Sequence, residues 1–197
     1  LCWHLMQTGL GFGQAVRQAS FNGVSIMTGT DYVGANFSAW GWFATTILLI
    51  VMFIGGCGGS TTCGIKVFRL QVLASTAKVQ ISRLLRPHAV VLAYYNKRPV
   101  SVEVMDSVMG FFYLFILGFV LIAIMLGIAG LDFVTALSGA ATSISNVGPG
   151  LGEVIGADGN FSTLPDSAKW IMSFAMLLGR LEIFTVLVML NPAFWQR

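Results

Sequence analysis

Ser145-Asn146-Val147-Gly148-Pro149-Gly150-Leu151-Gly152 is the stretch whose reading decides the fold of this chain. It follows a helix-length segment, Asp132 to Ile144, which comes directly after a long apolar run, Val108 to Gly130, without a charged side chain. A further apolar segment, Ser167 to Leu190, comes after it. The order is span, short re-entrant helix, glycine-rich extended turn, span. A membrane tolerates irregular backbone only where protein buries it or water lines it. The familiar use of such backbone is an ion filter, whose carbonyls replace the ion's hydration shell. The order therefore predicts an ion-conducting membrane protein.

Composition supports the membrane part independently. Hydrophobic residues make up 56% of the 197, charged residues only 10%, and mean hydropathy is +0.81; a soluble domain has about a quarter charged. Val108 to Ala129 gives 22 residues without a charge, enough to cross a hydrocarbon core of about 30 Å. Ala39 to Ile54 is shorter and ends in a glycine cluster, while Ser167 to Leu190 is long enough but carries Lys169, Arg180 and Glu182. Leu1 to Gly13 reads as the tail of another span. With no initiator Met, basic n-region or cleavage site at the start, no signal peptide is expected, and the chain reads as a segment of a longer protein.

Charge placement gives an orientation. Lys66, Arg69, Lys78, Arg83, Arg86, Lys97 and Arg98 lie together with no acidic residue among them. Leu131 to Lys169 holds Asp132, Glu153, Asp158 and Asp166 against a single lysine. Positive charge stays inside, so residues 66–98 are expected in the cytoplasm and the turn at Asn146 opens outward. Because apolar spans bracket the basic stretch, it predicts topology and not nucleic-acid binding. Val67 to Leu85 is amphipathic and helix-compatible, suited to lying on the inner surface against anionic membrane lipid.

An internal repeat sharpens the architecture. Ser25 to Tyr32 lies over Thr142 to Pro149 without a gap. Ala15 to Met27 is then a first re-entrant helix and Asp132 to Ser145 a second, each followed by a span, beginning near Ala39 and near Ser167. Two such units cannot surround a pore with carbonyls on all sides. Four are the natural number, so two more are expected upstream or on another chain. The fold class is thus an all-α integral membrane protein of repeated span, pore-helix, filter and span units around a central pore, two of an expected four. Residues 1–64 form one pore unit, 65–104 a cytoplasmic connection and 105–197 the next unit.

SNVGPGLG (145–152), GGCGGSTTCGIKVFR (55–69), YNKRPV (95–100) and LLGRLEIFTVLVMLNPAFWQR (177–197) resemble the C-terminal half of Trk-type potassium uptake membrane subunits. Their superfamily also contains the Ktr and plant high-affinity potassium transporters. The resemblance runs from about Gln14 to Arg197, in the family's order and spacing. It implies potassium uptake across the bacterial cytoplasmic (inner) membrane, with K+ as the transported ion and no bound cofactor. It implies one polypeptide with four pore units, working as a homodimer and docking a cytosolic nucleotide-binding regulatory subunit. This chain would supply the third and fourth units, with NPAFWQR as the natural C-terminus.

The resemblance also assigns residues. Asn146, Val147, Gly148, Pro149 and Gly150 would form the fourth-unit filter, with K+ held at backbone carbonyls. Gly148 suits a backbone shape that a β-carbon obstructs; read alone, Pro149-Gly150 also fits an ordinary turn. Thr28, Gly29, Thr30, Asp31 and Tyr32 would form the third-unit filter. There Asp31 occupies the position of Gly148, which puts a carboxylate at or near the mouth and opens a reading as a less selective K+/Na+ transporter. A register shifted by one, using Gly29 or Gly34, is the alternative.

Gly55, Gly56, Gly58, Gly59, Ser60, Thr61, Thr62 and Gly64 belong to a cluster that interrupts a span. It is no phosphate-binding loop, because Ile65 stands where a lysine is required. It reads either as a flexible linker or, through the resemblance, as an intramembrane gating loop beneath the filter. Arg180 would be its partner, donating to the loop and repelling cations, since a charge within a span normally faces a cavity or a partner. Alternatively Arg180 and Glu182 knit helices together. Cys2, Cys57 and Cys63 lack metal-ligand spacing, and no nucleophile–base or paired-carboxylate constellation appears, so no enzyme is expected. A non-conducting structural membrane subunit is the rival from another class.

Overall fold

The computed structural model describes residues 1–7, 9–30, 32–57, 62–86, 92–181, 188–189 and 194. Its helices are α1 (Cys2–Gln7), α2 (Phe12–Thr28), α3 (Gly41–Phe53), α4 (Val67–Leu85), α5 (Val102–Ile128), α6 (Phe133–Ser145) and α7 (Asp166–Arg180). Single 3₁₀ turns at Phe37–Trp40 and Phe161–Thr163 lead into α3 and α7. The all-α expectation needs one correction: strands β1 (Tyr94–Tyr95) and β2 (Arg98–Pro99) form an antiparallel hairpin. Asn96 and Lys97 both take positive φ at its tip, 47° and 63°, the turn geometry that matches the twist of paired strands. Ser75 of α4 holds the hairpin, its Oγ donating to the Tyr94 carbonyl at 3.1 Å and accepting from the Tyr94 N–H at 3.2 Å.

Among the described residues α5 is the one helix long and apolar enough to cross a membrane. It begins before the uncharged run because the Ser101 hydroxyl caps it, accepting from the Val104 N–H. Glu103 in its first turn suits the positive end of the helix dipole. Its 27 residues span about 40 Å, so Glu103 and Asp106 extend past a 30 Å hydrocarbon core while Val108 onward fills it. The helices α3 and α6, at 13 residues each, reach only about 20 Å and cannot cross alone.

Ten of the thirteen α6 residues are buried, among them Thr135, Ser138, Thr142, Ser143 and Ser145. Beyond its first turn the helix is enclosed: α5 and α7 pack on it through Phe115, Ile122, Ala140, Ile144, Met172 and Ala175. Its remaining face, with Ala141, joins Val147 and Leu151 in a second core built with α1, α2 and α3. Phe53 at the end of α3 bridges the halves, its ring 6.0 Å from Phe115 and 5.0 Å from Phe119. Arg69 fixes α4 to α5 by lying over the Phe111 ring at 3.8 Å. The helix α2 is less enclosed. Only Ala15, Ala19, Asn22, Ser25 and Ile26 of α2 are buried, while Phe12, Phe21 and Val24 on its other side are exposed.

Asp132 starts α6 as its cap, Oδ2 accepting from the Thr135 N–H at 3.2 Å. Its bonds to Thr135 hold the carboxyl below its ordinary pKa. A folded-state pKa below the unfolded one stabilises the fold above the unfolded value, and that contribution is lost as pH falls through the folded value. Asp132→Ala should therefore cost about 1 kcal/mol at neutral pH. Asp132→Asn should keep most of the cap but flatten the fall in melting temperature below about pH 4, measured on the detergent-solubilised protein by thermal unfolding.

Candidate functional site

The two short helices end in the same way. At Gly29 (φ 64°, ψ 37°) and at Asn146 (φ 50°, ψ 49°) the backbone turns left-handed. After α2, the Gly29 N–H donates to Ile26 O at 3.4 Å and the Thr30 N–H to Ser25 O at 3.1 Å. After α6, the Asn146 N–H donates to Ser143 O at 3.3 Å and the Val147 N–H to Thr142 O at 3.0 Å. Gly29 and Asn146 are the residues that the gapless alignment sets opposite one another, so the two helix ends share its register. The aligned hydroxyls pin the chain beyond: Ser25 Oγ donates to Tyr32 O at 2.7 Å, and Thr142 Oγ1 accepts from the Gly148 N–H at 3.0 Å.

These ends approach each other. A β-carbon on Gly29 would lie 3.3 Å from the Asn146 carbonyl oxygen. Of the candidate filter residues, Thr28, Gly29, Asn146, Gly148 and Pro149 are half-buried, Val147 and Gly150 buried, Thr30 and Tyr32 exposed; Asp31 lies outside the described residues. Gly148 takes φ +108°, a conformation costly for any residue with a β-carbon. The Gly150 N–H donates to Ile155 O at 2.7 Å, and Ser138 Oγ to Leu151 O at 3.1 Å. Across the units, Ser38 Oγ donates to Gly152 O at 2.9 Å and Asn36 Nδ2 to Asp158. The segment after α6 is thus held from both halves of the chain.

Helix α7 braces the same point. Asn146 Nδ2 donates to Met176 O at 3.0 Å, and Gly179 sits so close that a β-carbon would collide with the Ile144 carbonyl oxygen. Sequence analysis passed over this contact, although Ala175 and Gly179 form the small-x-x-x-small spacing that lets membrane helices approach closely. It also passed over the paired hydroxyls of Ser25 and Thr142, which read as ordinary helix residues without a structure.

Of the proposed gate, Gly55, Gly56, Thr62 and Gly64 are described; Gly58, Gly59, Ser60 and Thr61 lie outside the described residues. The base of this loop is stitched. The Ile65 N–H donates to Phe53 O and the Gly55 N–H to Ile65 O, each at 2.9 Å, and the Val67 N–H to Gly56 O at 3.2 Å. Arg180 departs from expectation. It is the last residue of α7 and is exposed, with its side chain reaching toward the loop. There its Nη1 donates to Cys63 Sγ at 3.4 Å. Glu182 lies outside the described residues.

Residues 8–197 match the model of the TrkH family, described as cation transport proteins. The chain belongs to this family. It is 45% identical over 195 residues to the Trk system potassium uptake protein TrkI of Halomonas elongata, covering 99% of this chain and 39% of that protein. With the potassium uptake protein TrkH of Escherichia coli K12 it shares 36% identity over 181 residues, 92% of this chain and 37% of the relative. The crystal structure of the potassium transporter TrkH from Vibrio parahaemolyticus superposes with a TM-score of 0.85 at 39% identity, over 94% of this chain and 39% of that one. The chain thus spans about two fifths of the length of these relatives.

Gly179→Ala tests how tightly the TrkH-type helix pair is set. The added methyl runs into the Ile144 carbonyl and the Asn146 side-chain amide, so α7 must move away from Ile144. Overpacking of this kind costs about 1–3 kcal/mol, and thermal unfolding should register it. Ala175→Gly, which adds no volume, should leave the helices in place.

Proposed function

We propose that this chain provides two adjoining sides of a four-sided pore for potassium uptake, within a longer TrkH-family transporter. The observation that carries the reading is the matched pair of helix ends: Gly29 and Asn146 share left-handed geometry, hydrogen-bond pattern and alignment register. Each helix directs its partially negative C-terminal end at the space between them. In this reading the backbone carbonyls of the stretches 28–32 and 146–150 meet a dehydrating K+, with the Tyr32 oxygen held back by Ser25. Hydroxyls behind them, at Ser25 and Thr142, hold the backbone so that the carbonyls stay aimed at the ion. Preorganised in this way, the oxygens replace water without having to rearrange as the ion arrives.

Below them, the stitched loop from Gly55 to Gly64 acts as the gate, with Arg180 as its latch through Cys63. The basic stretch Lys66 to Arg98 faces the cytoplasm. There α4, with Ile81, Leu84 and Leu85 exposed, meets the inner leaflet or a cytosolic regulatory subunit. The working form is a homodimer of the full-length protein in the bacterial inner membrane. A less selective pore is the second reading, because the gapless alignment of Ser25 to Tyr32 with Thr142 to Pro149 gives Asp31 the position of Gly148.

Arg180→Ala in the full-length transporter should raise basal K+ flux several-fold in proteoliposomes, by removing both the latch and a cation barrier. Arg180→Lys, which keeps charge but loses the fork of donors, should fall between. Flux unchanged in both variants would leave Arg180 a packing residue.

Asp31→Gly should sharpen discrimination against Na+ and slow uptake at low K+. The readout is the ratio of K+ to Na+ uptake at matched expression in cells that depend on the transporter. Equal ratios for the variant and the parent would place the carboxylate away from the ion path.

A further inference from the structure

Two hollows flank the first turn of α6, and neither belongs to the filter or the gate. The first, of about 380 Å³, opens between that turn, the start of α3 and the 152–154 turn; Asp132, Glu153, Thr135 and Trp42 line it. The second, of about 480 Å³, is a groove between α5 and α6 lined by apolar side chains, among them Phe119, Ala123, Ile124 and Phe133. Leu131 and Phe133 line the groove, and Asp132 between them lines the acidic hollow. The two therefore lie on neighbouring sides of the same helical turn.

Their chemistry differs in a way that describes one molecule. The acidic hollow has two carboxylates on its wall and no lysine or arginine. Asp132 is partly engaged as the cap of α6, while Glu153 is exposed and bonded to no described residue. Trp42, largely exposed at its edge, is the side chain that prefers the headgroup level of a bilayer. The groove runs along the outer half of α5 in the orientation proposed above, with Val120 and Ile124 exposed on it. An acyl chain gains little by moving from bilayer to groove, since both are apolar. Selection between lipids must then come from the headgroup.

We propose that the two hollows together hold one outer-leaflet phospholipid whose headgroup ends in a primary amine, of the phosphatidylethanolamine type. Its ammonium sits between Glu153 and Asp132, and one acyl chain lies along the α5–α6 groove. Three N–H donors suit two carboxylates, and an anionic headgroup such as phosphatidylglycerol is repelled. A bare cation in the acidic hollow leaves the adjoining groove without a role. Bound there, the lipid braces the start of the helix whose other end carries Asn146. The proposal rests on the outward orientation of this end of α5 and not on the identity of the ion.

The experiment uses the full-length transporter containing this chain, in nanodiscs with equal phosphatidylethanolamine and phosphatidylglycerol. Retained lipid is read by native mass spectrometry, and phosphatidylethanolamine with a photoreactive tail locates the site. Phosphatidylethanolamine should be retained over phosphatidylglycerol, and Glu153→Gln should lower that preference roughly two- to fivefold, as for a partly exposed charge contact. Tail crosslinks should map between Phe119 and Gly127 and fall in Ile124→Trp, which fills the groove from an exposed position. Equal retention of the two lipids by the parent protein overturns the proposal. So does an unchanged preference in Glu153→Gln, or crosslinks elsewhere because another part of the transporter covers the groove. Because K+ uptake is not the readout, failure here and failure of the pore reading are separate results.

Discussion

A helix that stops inside a protein leaves its last carbonyl oxygens without partners, and the architecture of this chain follows from how two such ends are managed. Water cannot freely reach a buried helix end, so each oxygen needs a donor or a site that tolerates it. At α6 the left-handed turn at Asn146 folds two N–H groups back onto Ser143 and Thr142, and the Asn146 side chain goes on to bond α7. That bond requires α7 to pass close by, which Gly179 permits. The same solution at Gly29, without the side-chain bond, leaves α2 less tightly held. The difference in enclosure between the two short helices follows from what packs on them: α5, α7 and α3 surround α6, while the far side of α2 is open.

Much of this was legible in the sequence because the bilayer imposes simple rules. Run length and charge fixed the core of α5, and amphipathic spacing gave α4 its bounds, Val67 to Leu85. The bounds of α6 were legible from its place between the uncharged apolar run and the glycine-rich turn. The gapless alignment of Ser25 to Tyr32 with Thr142 to Pro149 gave the register that the two helix ends share.

What escaped was long-range. The hairpin at Asn96-Lys97 needs two positive φ values, and a lysine does not advertise one. Arg180 and Cys63 lie far apart in sequence, and only the folded chain puts the thiol within reach of the guanidinium. The role of Gly179 depends on a neighbour thirty-five residues earlier, Ile144. Ser25 and Thr142 are indistinguishable from other helical hydroxyls until the backbone after them turns back.

The pairing of Ile54 with Ile65 has a mechanical consequence. The Ile65 N–H donates to Phe53 O at the end of α3, and the Val67 N–H at the start of α4 donates to Gly56 O, so the two helices are tied together where one ends and the other begins. Phe53 in turn lies against Phe115 and Phe119 of α5, and Arg69 of α4 against Phe111. Three helices therefore share one joint, and a push on the exposed side of α4 reaches α3 and α5 through short, stiff links.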